Sequence, residues 1–259
     1  MMLAIDIGNS NVTFGLYPSG AAAPEQVWRL PTKSDGESAV FYHMQLSNAL
    51  LERSISAAEV GQVVISTVVP DLRTVFTALC SRLFFKPPLW VDAEIYPRLK
   101  LRIDRPDELG TDLYANAVAA YYRYRQDCIV VDFGTALTFT VINAEGQLLG
   151  VSIAPGLKTA IGALFQKTAQ LPEVPLELPP SAVGTNTVGA IQSGVLLGYI
   201  GLVRHMLAAI RAELGGQYIA IATGGLSAIL HPLSGDFHEV APNLTLDGLR
   251  IIAAEAAEG

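Results

Sequence analysis

A chain of 259 residues, half of it apolar and only 16% charged, suffices for one large domain or two ordinary ones and supplies a substantial core. Its net charge of −7, with no run of basic residues, disfavours broad contact with nucleic acid or an anionic membrane. No stretch of about 18 uninterrupted apolar residues occurs, and the start lacks a basic region followed by an apolar one, so neither a membrane span nor a signal peptide is expected.

The predicted elements begin with three strands, Leu3–Ile7, Asn11–Tyr17 and Gln26–Leu30, the first two joined by the polar turn Gly8-Asn9-Ser10. A helix follows over Glu37–Arg53, where Phe41, Met44, Leu50 and Leu51 recur at about 3.6-residue spacing. Then come a buried strand, Gln62–Val69, closed by Pro70, a helix, Leu72–Phe85, and a short strand, Leu89–Val91. A second series starts near Gly110. It has a helix, Asp112–Arg125, and three strands, Ile129–Asp132, Leu137–Ile142 and Leu148–Ile153. Pro155-Gly156 breaks the last strand and opens a helix to about Lys167. After a proline-rich loop, a long helix is predicted from Val188 to Leu214, then strand Tyr218–Ala222 and the turn Thr223-Gly224-Gly225. A short helix, strand Phe237–Val240 and a final helix, Leu246–Ala257, complete the order.

Both series open on three strands and continue with alternating helices and strands, and they match locally. Ala4-Ile5-Asp6-Ile7-Gly8-Asn9-Ser10 aligns with Val130-Val131-Asp132-Phe133-Gly134-Thr135-Ala136, and Thr13-Phe14 with Thr138-Phe139. The pattern suggests a duplicated domain with a cleft between the copies, where ligand sites favour lying.

A strand ending in Asp, then Gly and small polar residues, makes a tight turn whose N–H groups can grip phosphate oxygens. The carboxylate at the strand end can hold a cation or its water shell beside the phosphates. The first copy offers Asn9, Ser10, Asn11 and Thr13 around this turn, the second Thr135 and Thr138. Neither is a P-loop, and no dinucleotide-binding glycine fingerprint occurs. With just five lysines, bound polyphosphate must be neutralised mainly by backbone N–H groups, helix N-termini and metal ions. The Gly224-Gly225 turn can admit the flat face of a nucleotide or be an ordinary strand-to-helix turn. Cys80 and Cys128 read as buried free thiols in a reducing compartment, so a cytoplasmic protein is expected. The four histidines show no metal-ligand spacing. The tyrosines from Tyr114 to Tyr124 suit core or subunit interface equally.

These segments resemble the type III pantothenate kinases along almost the whole chain. Asp6-Ile7-Gly8-Asn9-Ser10 resembles that family's first phosphate motif and Asp132-Phe133-Gly134-Thr135-Ala136 its second. Asp104 through Asp112 resembles the approach to its substrate site. Ile153-Ala154-Pro155-Gly156-Leu157, Gly184-Thr185-Asn186-Thr187 with Gln192-Ser193-Gly194, Thr223-Gly224-Gly225-Leu226 and Leu244 through Leu249 are similar to further family segments.

The resemblance implies an α/β fold of duplicated ASKHA domains (actin/hexokinase-like, ribonuclease H-like) with a cleft between them. The division expected is 1–110 and 111–259, with the final helix free to pack back on the first domain. The implied reaction is ATP-dependent phosphorylation of pantothenate to 4′-phosphopantothenate, the first step of coenzyme A synthesis. The implied enzyme is a homodimer using Mg²⁺ with ATP and a monovalent cation, K⁺ or NH₄⁺. Carried over by position, Asp6, Ile7, Gly8, Asn9, Ser10, Asn11, Val12, Thr13 and Thr135 contact ATP, with Gly224 and Gly225 at the nucleotide. Asp6 serves Mg²⁺ through the phosphates and Asp132 binds the monovalent cation. Asp112 is the catalytic base, and Ile103, Gly110, Thr111, Asp112, Leu113 and Thr187 line the substrate site.

Two positions depart from the family pattern. Leu113 stands where the family usually has Arg, and Ile103 where it commonly has Tyr. A lost charge-assisted contact is worth roughly 1.5–3 kcal/mol. Arg102 and Arg105 lie close in sequence, as replacements or as ordinary surface charge. Two other readings therefore stand beside pantothenate phosphorylation: a same-fold kinase for another small hydroxylated acid, and a non-catalytic nucleotide-binding regulatory homologue.

Overall fold

The computed structural model describes residues 1–167, 171–225 and 231–258. They cluster into two compact units, one of Met1–Tyr122 plus the chain from Leu244 onward, the other Arg123–Asn243.

The first unit is built on strands β1 (Met2–Ile7), β2 (Asn11–Tyr17) and β3 (Gln26–Pro31), helix α1 (Ser38–Glu52), β4 (Gln62–Thr67), α2 (Asp71–Leu83) and β5 (Leu89–Trp90). The sheet order is β3-β2-β1-β4-β5, with the first three strands antiparallel and β4 and β5 parallel to β1. Side chains alternate across a strand, so Leu3, Ile5 and Ile7 enter one core with Phe14, Val63 and Ile65 while Ala4 and Asp6 point to the opposite face. Tyr42 and Leu46 of α1 and Phe76 and Leu79 of α2 close that core.

Helix α3 (Thr111–Tyr124) begins the second series of the sequence, yet the boundary between compact units falls after Tyr122. In the second unit β6 (Cys128–Phe133), β7 (Ala136–Ile142), β8 (Leu148–Pro155), β9 (Ile219–Thr223) and β10 (Glu239–Val240) repeat the first sheet, in the order β10-β9-β6-β7-β8. The repeated topology gives the α/β duplicated architecture expected from the sequence. Helix α4 (Leu157–Lys167) follows the Pro155-Gly156 corner. Predicted strand Phe237–Val240 is shorter than expected, and the short helix after Gly225, like Leu226, lies outside the described residues.

The long helix is two helices, α5 (Thr187–Gln192) and α6 (Gly198–Leu214), joined by a π-helical turn at Ser193–Leu197. It ends at Gly215, whose φ of 68° is the left-handed stop a glycine adopts at no steric cost. By length and composition, Thr187–Leu214 is long and apolar enough to cross a membrane. Its buried Leu196, Tyr199, Ile200, Val203 and Leu207 pack into the core of the second unit, as a core helix does.

Helix α7 (Leu244–Glu258) returns to the first unit across β1 and β4. Tyr17 donates to Asp247 at 2.8 Å, and Thr245 donates to the buried Asn116 of α3 at 2.8 Å. At the crossing of α3 and α7, a Cβ on Gly248 would lie 1.9 Å from the Ala115 carbonyl oxygen. This close approach joins α3 to α7 within the first unit, beside the bonds of Thr111 to Thr67 and Tyr114 to Tyr96. Gly248→Val forces the helices apart and is expected to destabilise the protein by about 1–3 kcal/mol, measured as a shift in denaturant midpoint at unchanged slope.

Cys80 and Cys128 are free and buried, and burial pushes both thiols up to about 12, so neither is a nucleophile at neutral pH. Tyr114 and Tyr121 belong to the core, whereas Tyr122 and Tyr124 are half-buried.

Candidate active site

The turn between β1 and β2 is closed by the Gly8 N–H donating to the Asn11 carbonyl at 3.0 Å. Thr32, just past β3, pins it from the side. Its N–H donates to the Ser10 carbonyl at 3.1 Å and its hydroxyl to the Gly8 carbonyl at 2.6 Å. Asn9, Ser10 and Asn11 stay exposed on this fixed turn. Ile7 and Val12 are wholly buried, so neither presents a side chain to a ligand. Asp6 stands between Thr13 on β2 and Ser66 on β4 in register. Ser66, also fully buried, donates its hydroxyl to Asp6 Oδ1 at 2.5 Å.

The second turn is one residue shorter and is closed by the Gly134 N–H donating to the Ala136 carbonyl at 3.0 Å. The Thr135 carbonyl accepts from the Gly156 N–H at 2.9 Å and the Thr159 hydroxyl at 2.7 Å. A Cβ on Gly156 would come within 2.3 Å of the Gly134 and Thr135 oxygens, so the Pro155-Gly156 corner sits directly on this turn. Asp132 stands in register between Thr138 and Thr223. The row Thr138–Asp132–Thr223 thus repeats Thr13–Asp6–Ser66. Gly224 follows with φ +91°, and a Cβ there would lie 2.5 Å from Asp132 Oδ1 and 2.7 Å from the Phe133 carbonyl oxygen. Gly225 is exposed.

Both rows offer carboxylate and hydroxyl oxygens, a donor set that suits hard cations such as Mg²⁺ and K⁺. At the second row, Thr138 Oγ1 is buried with no hydrogen-bond partner among the described residues. An unsatisfied buried oxygen opposite a carboxylate fits a cation there. Ser66 was absent from the sequence-derived set. Its signal was present: a hydroxyl residue closes the apolar strand that follows each hairpin unit, Ser66 after Val63-Val64-Ile65 and Thr223 after Ala220-Ile221-Ala222.

Asp112 lies in the first turn of α3. Its Oδ1 accepts from the Leu113 N–H at 2.8 Å and lies 2.6 Å from where a Cβ on Gly110 would be. Burial raises the Asp112 carboxyl above its ordinary value, with the Leu113 N–H acting in the opposite sense. The Thr111 hydroxyl bonds to both peptide groups of Thr67, accepting from its N–H and donating to its carbonyl, each at 3.1 Å. An unbroken path therefore runs from Asp6 through Ser66, Thr67 and Thr111 to Asp112. Leu113 is buried and Ile103 half-buried. Arg102 is exposed, and Arg105 pairs with Glu108 at 3.4 Å on the surface.

In the second unit, exposed Thr187 starts α5 behind its cap Asn186, whose side chain accepts from the Gly189 N–H at 2.8 Å. It borders a cavity of about 660 Å³, also lined by Leu164, Asn186, Ile191 and Val195, beside the π-helical turn. Such turns recur at functional sites.

Solved structures share this fold at low identity. The activator of the 2-hydroxyisocaproyl-CoA dehydratase from Clostridium difficile, determined with bound ADPNP, superposes with a TM-score of 0.56 at 9% identity, covering 99% of this chain and 96% of that one. The inorganic polyphosphate/ATP-glucomannokinase from Arthrobacter sp. strain KM gives 0.51 at 14% identity, covering 100% and 99%. Sequence relatives are much closer. The type III pantothenate kinase of Thermomicrobium roseum is 43% identical over 250 residues, 96% of this chain and 95% of its own. That of Anaeromyxobacter sp. (strain K) is 40% identical over 252 residues, 97% of this chain and 98% of its own. The family model described as type III pantothenate kinase matches residues 2–209. With both hairpins and near-complete coverage in agreement, the chain belongs to the type III pantothenate kinase family.

Proposed function

We propose that the chain phosphorylates pantothenate to 4′-phosphopantothenate with ATP, the first step of coenzyme A synthesis, with Asp112 acting on the acceptor hydroxyl. The observation that carries the reading is the path from Asp6 to Asp112, which ties the Asp6 hairpin and a half-buried carboxylate to one strand end.

Phosphoryl transfer asks a protein mainly to align the reactants and stabilise charge. ATP phosphates are held by the main chain from Ile7 to Val12 with the side chains of Asn9, Ser10, Asn11 and Thr13, and by Thr135. Gly224 and Gly225 lie at the nucleotide, where the exposed Gly225 leaves room for it. Asp6 would hold Mg²⁺ beside the phosphates, whose charge the ion would neutralise. Asp132, with Thr138, would hold K⁺ or NH₄⁺, which would supply further positive charge. Asp112 accepts a hydrogen bond from the primary hydroxyl, orients it and takes its proton late in the transfer. Gly110 gives that carboxylate its space. Ile103, Leu113, Thr187 and the main chain of Thr111 shape the pantothenate pocket. The working enzyme is a cytoplasmic homodimer, in which the exposed apolar Ile153, Phe165 and Val183 are candidates for the subunit interface.

Purified protein should release ADP in a pantothenate-dependent way with Mg²⁺ and K⁺, and no turnover at millimolar pantothenate would reject the reading. Leu113→Arg restores the guanidinium usual in the family. It is expected to lower KM for pantothenate about tenfold or more, the equivalent of one charge-assisted hydrogen bond, with kcat little changed. The Leu113 and Ile103 departures also favour a second reading, a kinase for another small hydroxylated acid. A substrate panel in which pantothenate alone reacts would exclude it.

A further inference from the structure

Thr111 opens α3 and has the residue type expected of a helix cap, but its side chain serves another element. Both of its hydrogen bonds go to Thr67 of β4, one to the N–H and one from the hydroxyl to the carbonyl. A threonine hydroxyl has one proton, and here the Thr67 carbonyl takes it. The hydroxyl thus cannot also donate to a substrate.

The far side of the same strand end is equally fixed. Thr67 pairs with Ile7 in parallel register, and the next N–H, that of Val68, donates to the Ile7 carbonyl at 3.0 Å. The preceding residue, Ser66, holds the Asp6 carboxylate. The Thr67 hydroxyl accepts from the Val69 N–H at 3.0 Å and donates to the Val69 carbonyl at 3.1 Å, which stiffens the exit from the strand. Two successive residues of β4 therefore carry the two ends of the proposed site. Ser66 sets the phosphate-side carboxylate, and Thr67, through Thr111, sets the acceptor-side carboxylate.

We propose that Thr111 is a positioning residue, whose hydroxyl clamps the start of α3 to the end of β4 and so fixes Asp112 relative to the Asp6 hairpin. This rests on Asp112 being the group that orients the acceptor. The clamp acts on alignment at the reacting hydroxyl and leaves the ATP hairpin, held by Thr32 and Ser66, in place. A misplacement of about 1 Å at a reacting group can cost on the order of 100-fold in rate.

The test compares Thr111→Val, Thr111→Ala and Thr111→Ser with Asp112→Asn, using steady-state kinetics, calorimetric binding of a non-hydrolysable ATP analogue and thermal melting. Valine keeps the shape, and alanine lets water reach Thr67 should valine fold poorly. The expected result is a fall in kcat of about 10–100-fold for Val and Ala, with analogue affinity within about threefold of wild type and Ser restoring turnover. An unchanged kcat, a fall shared equally by analogue affinity, or a serine variant as slow as valine would each overturn the clamp. A general loss of fold would appear as weakened analogue binding and a lowered melting temperature, which counts against it. If Asp112→Asn itself retains full turnover, the functional reading fails first. If that variant is dead while Thr111→Val is normal, the clamp alone is wrong.

Discussion

Asp112→Asn should lower kcat by about 10²–10⁴-fold, the usual contribution of a positioned general base. Asparagine keeps the size and the hydrogen bond from Leu113 N–H, so the fold at the start of α3 survives, and binding of an ATP analogue should be unchanged. The pH dependence has a definite sign. Burial raises the Asp112 carboxyl above its ordinary value in the folded protein. The ionised base is therefore lost at a higher pH than an exposed aspartate would lose it, and the acid limb of kcat/KM for pantothenate shifts upward accordingly. Stability moves in the opposite direction from activity. A group whose folded value is raised contributes stability below its unfolded value and loses it as pH rises through the folded value. Above the unfolded value, the burial that raises the Asp112 carboxyl thus works against folding, and Asp112→Asn should melt above wild type. A dead variant with a lower melting temperature and an unshifted wild-type acid limb would remove Asp112 from the chemistry.

The sequence made the repeat legible because its signal is local: Asp, Gly and small polar residues at one strand end, followed by Thr-Phe. The Gly224 turn was legible for the same reason. Ser66 is legible only as the repeat of Thr223, because its partner Asp6 lies 60 positions away and only the parallel register of β1 and β4 joins them. Thr111 was read as a substrate contact because its neighbours form a motif, whereas its hydroxyl answers to Thr67, 44 residues earlier. The unit boundary followed the same logic. The repeat begins near Gly110, but a glycine-backbone crossing between α3 and α7 ties Ala115 to Gly248, and nothing in the local pattern of either helix announces that contact. The sequence predicts one continuous helix from about Val188 to Leu214, since a π-helical turn keeps the apolar periodicity on both sides and hides in it.

Gly224→Ala should disable the second hairpin almost completely. The position has φ +91°, where any residue with a Cβ is strained by about 1–3 kcal/mol. The methyl group would also meet two atoms that cannot both withdraw, Asp132 Oδ1 at 2.5 Å and the Phe133 carbonyl oxygen at 2.7 Å. The carbonyl belongs to β6, held by β7 on one side and β9 on the other, so it can move only if the strand tilts. The carboxylate is the softer partner, and turning it away takes Asp132 out of the row it forms with Thr138 and Thr223. The expected result is a lower melting temperature and a fall in kcat/KM for ATP on the order of 100-fold, since a displaced binding group weakens both alignment and charge stabilisation. Stimulation by K⁺ should disappear with it, while Gly225→Ala, at the exposed neighbour, should keep the K⁺ response. Activity titrated against K⁺ at fixed Mg²⁺ separates the cases: if Gly224→Ala retains the wild-type K⁺ response, Asp132 does not hold the monovalent cation, and the repeated row at the second hairpin has a purely structural role.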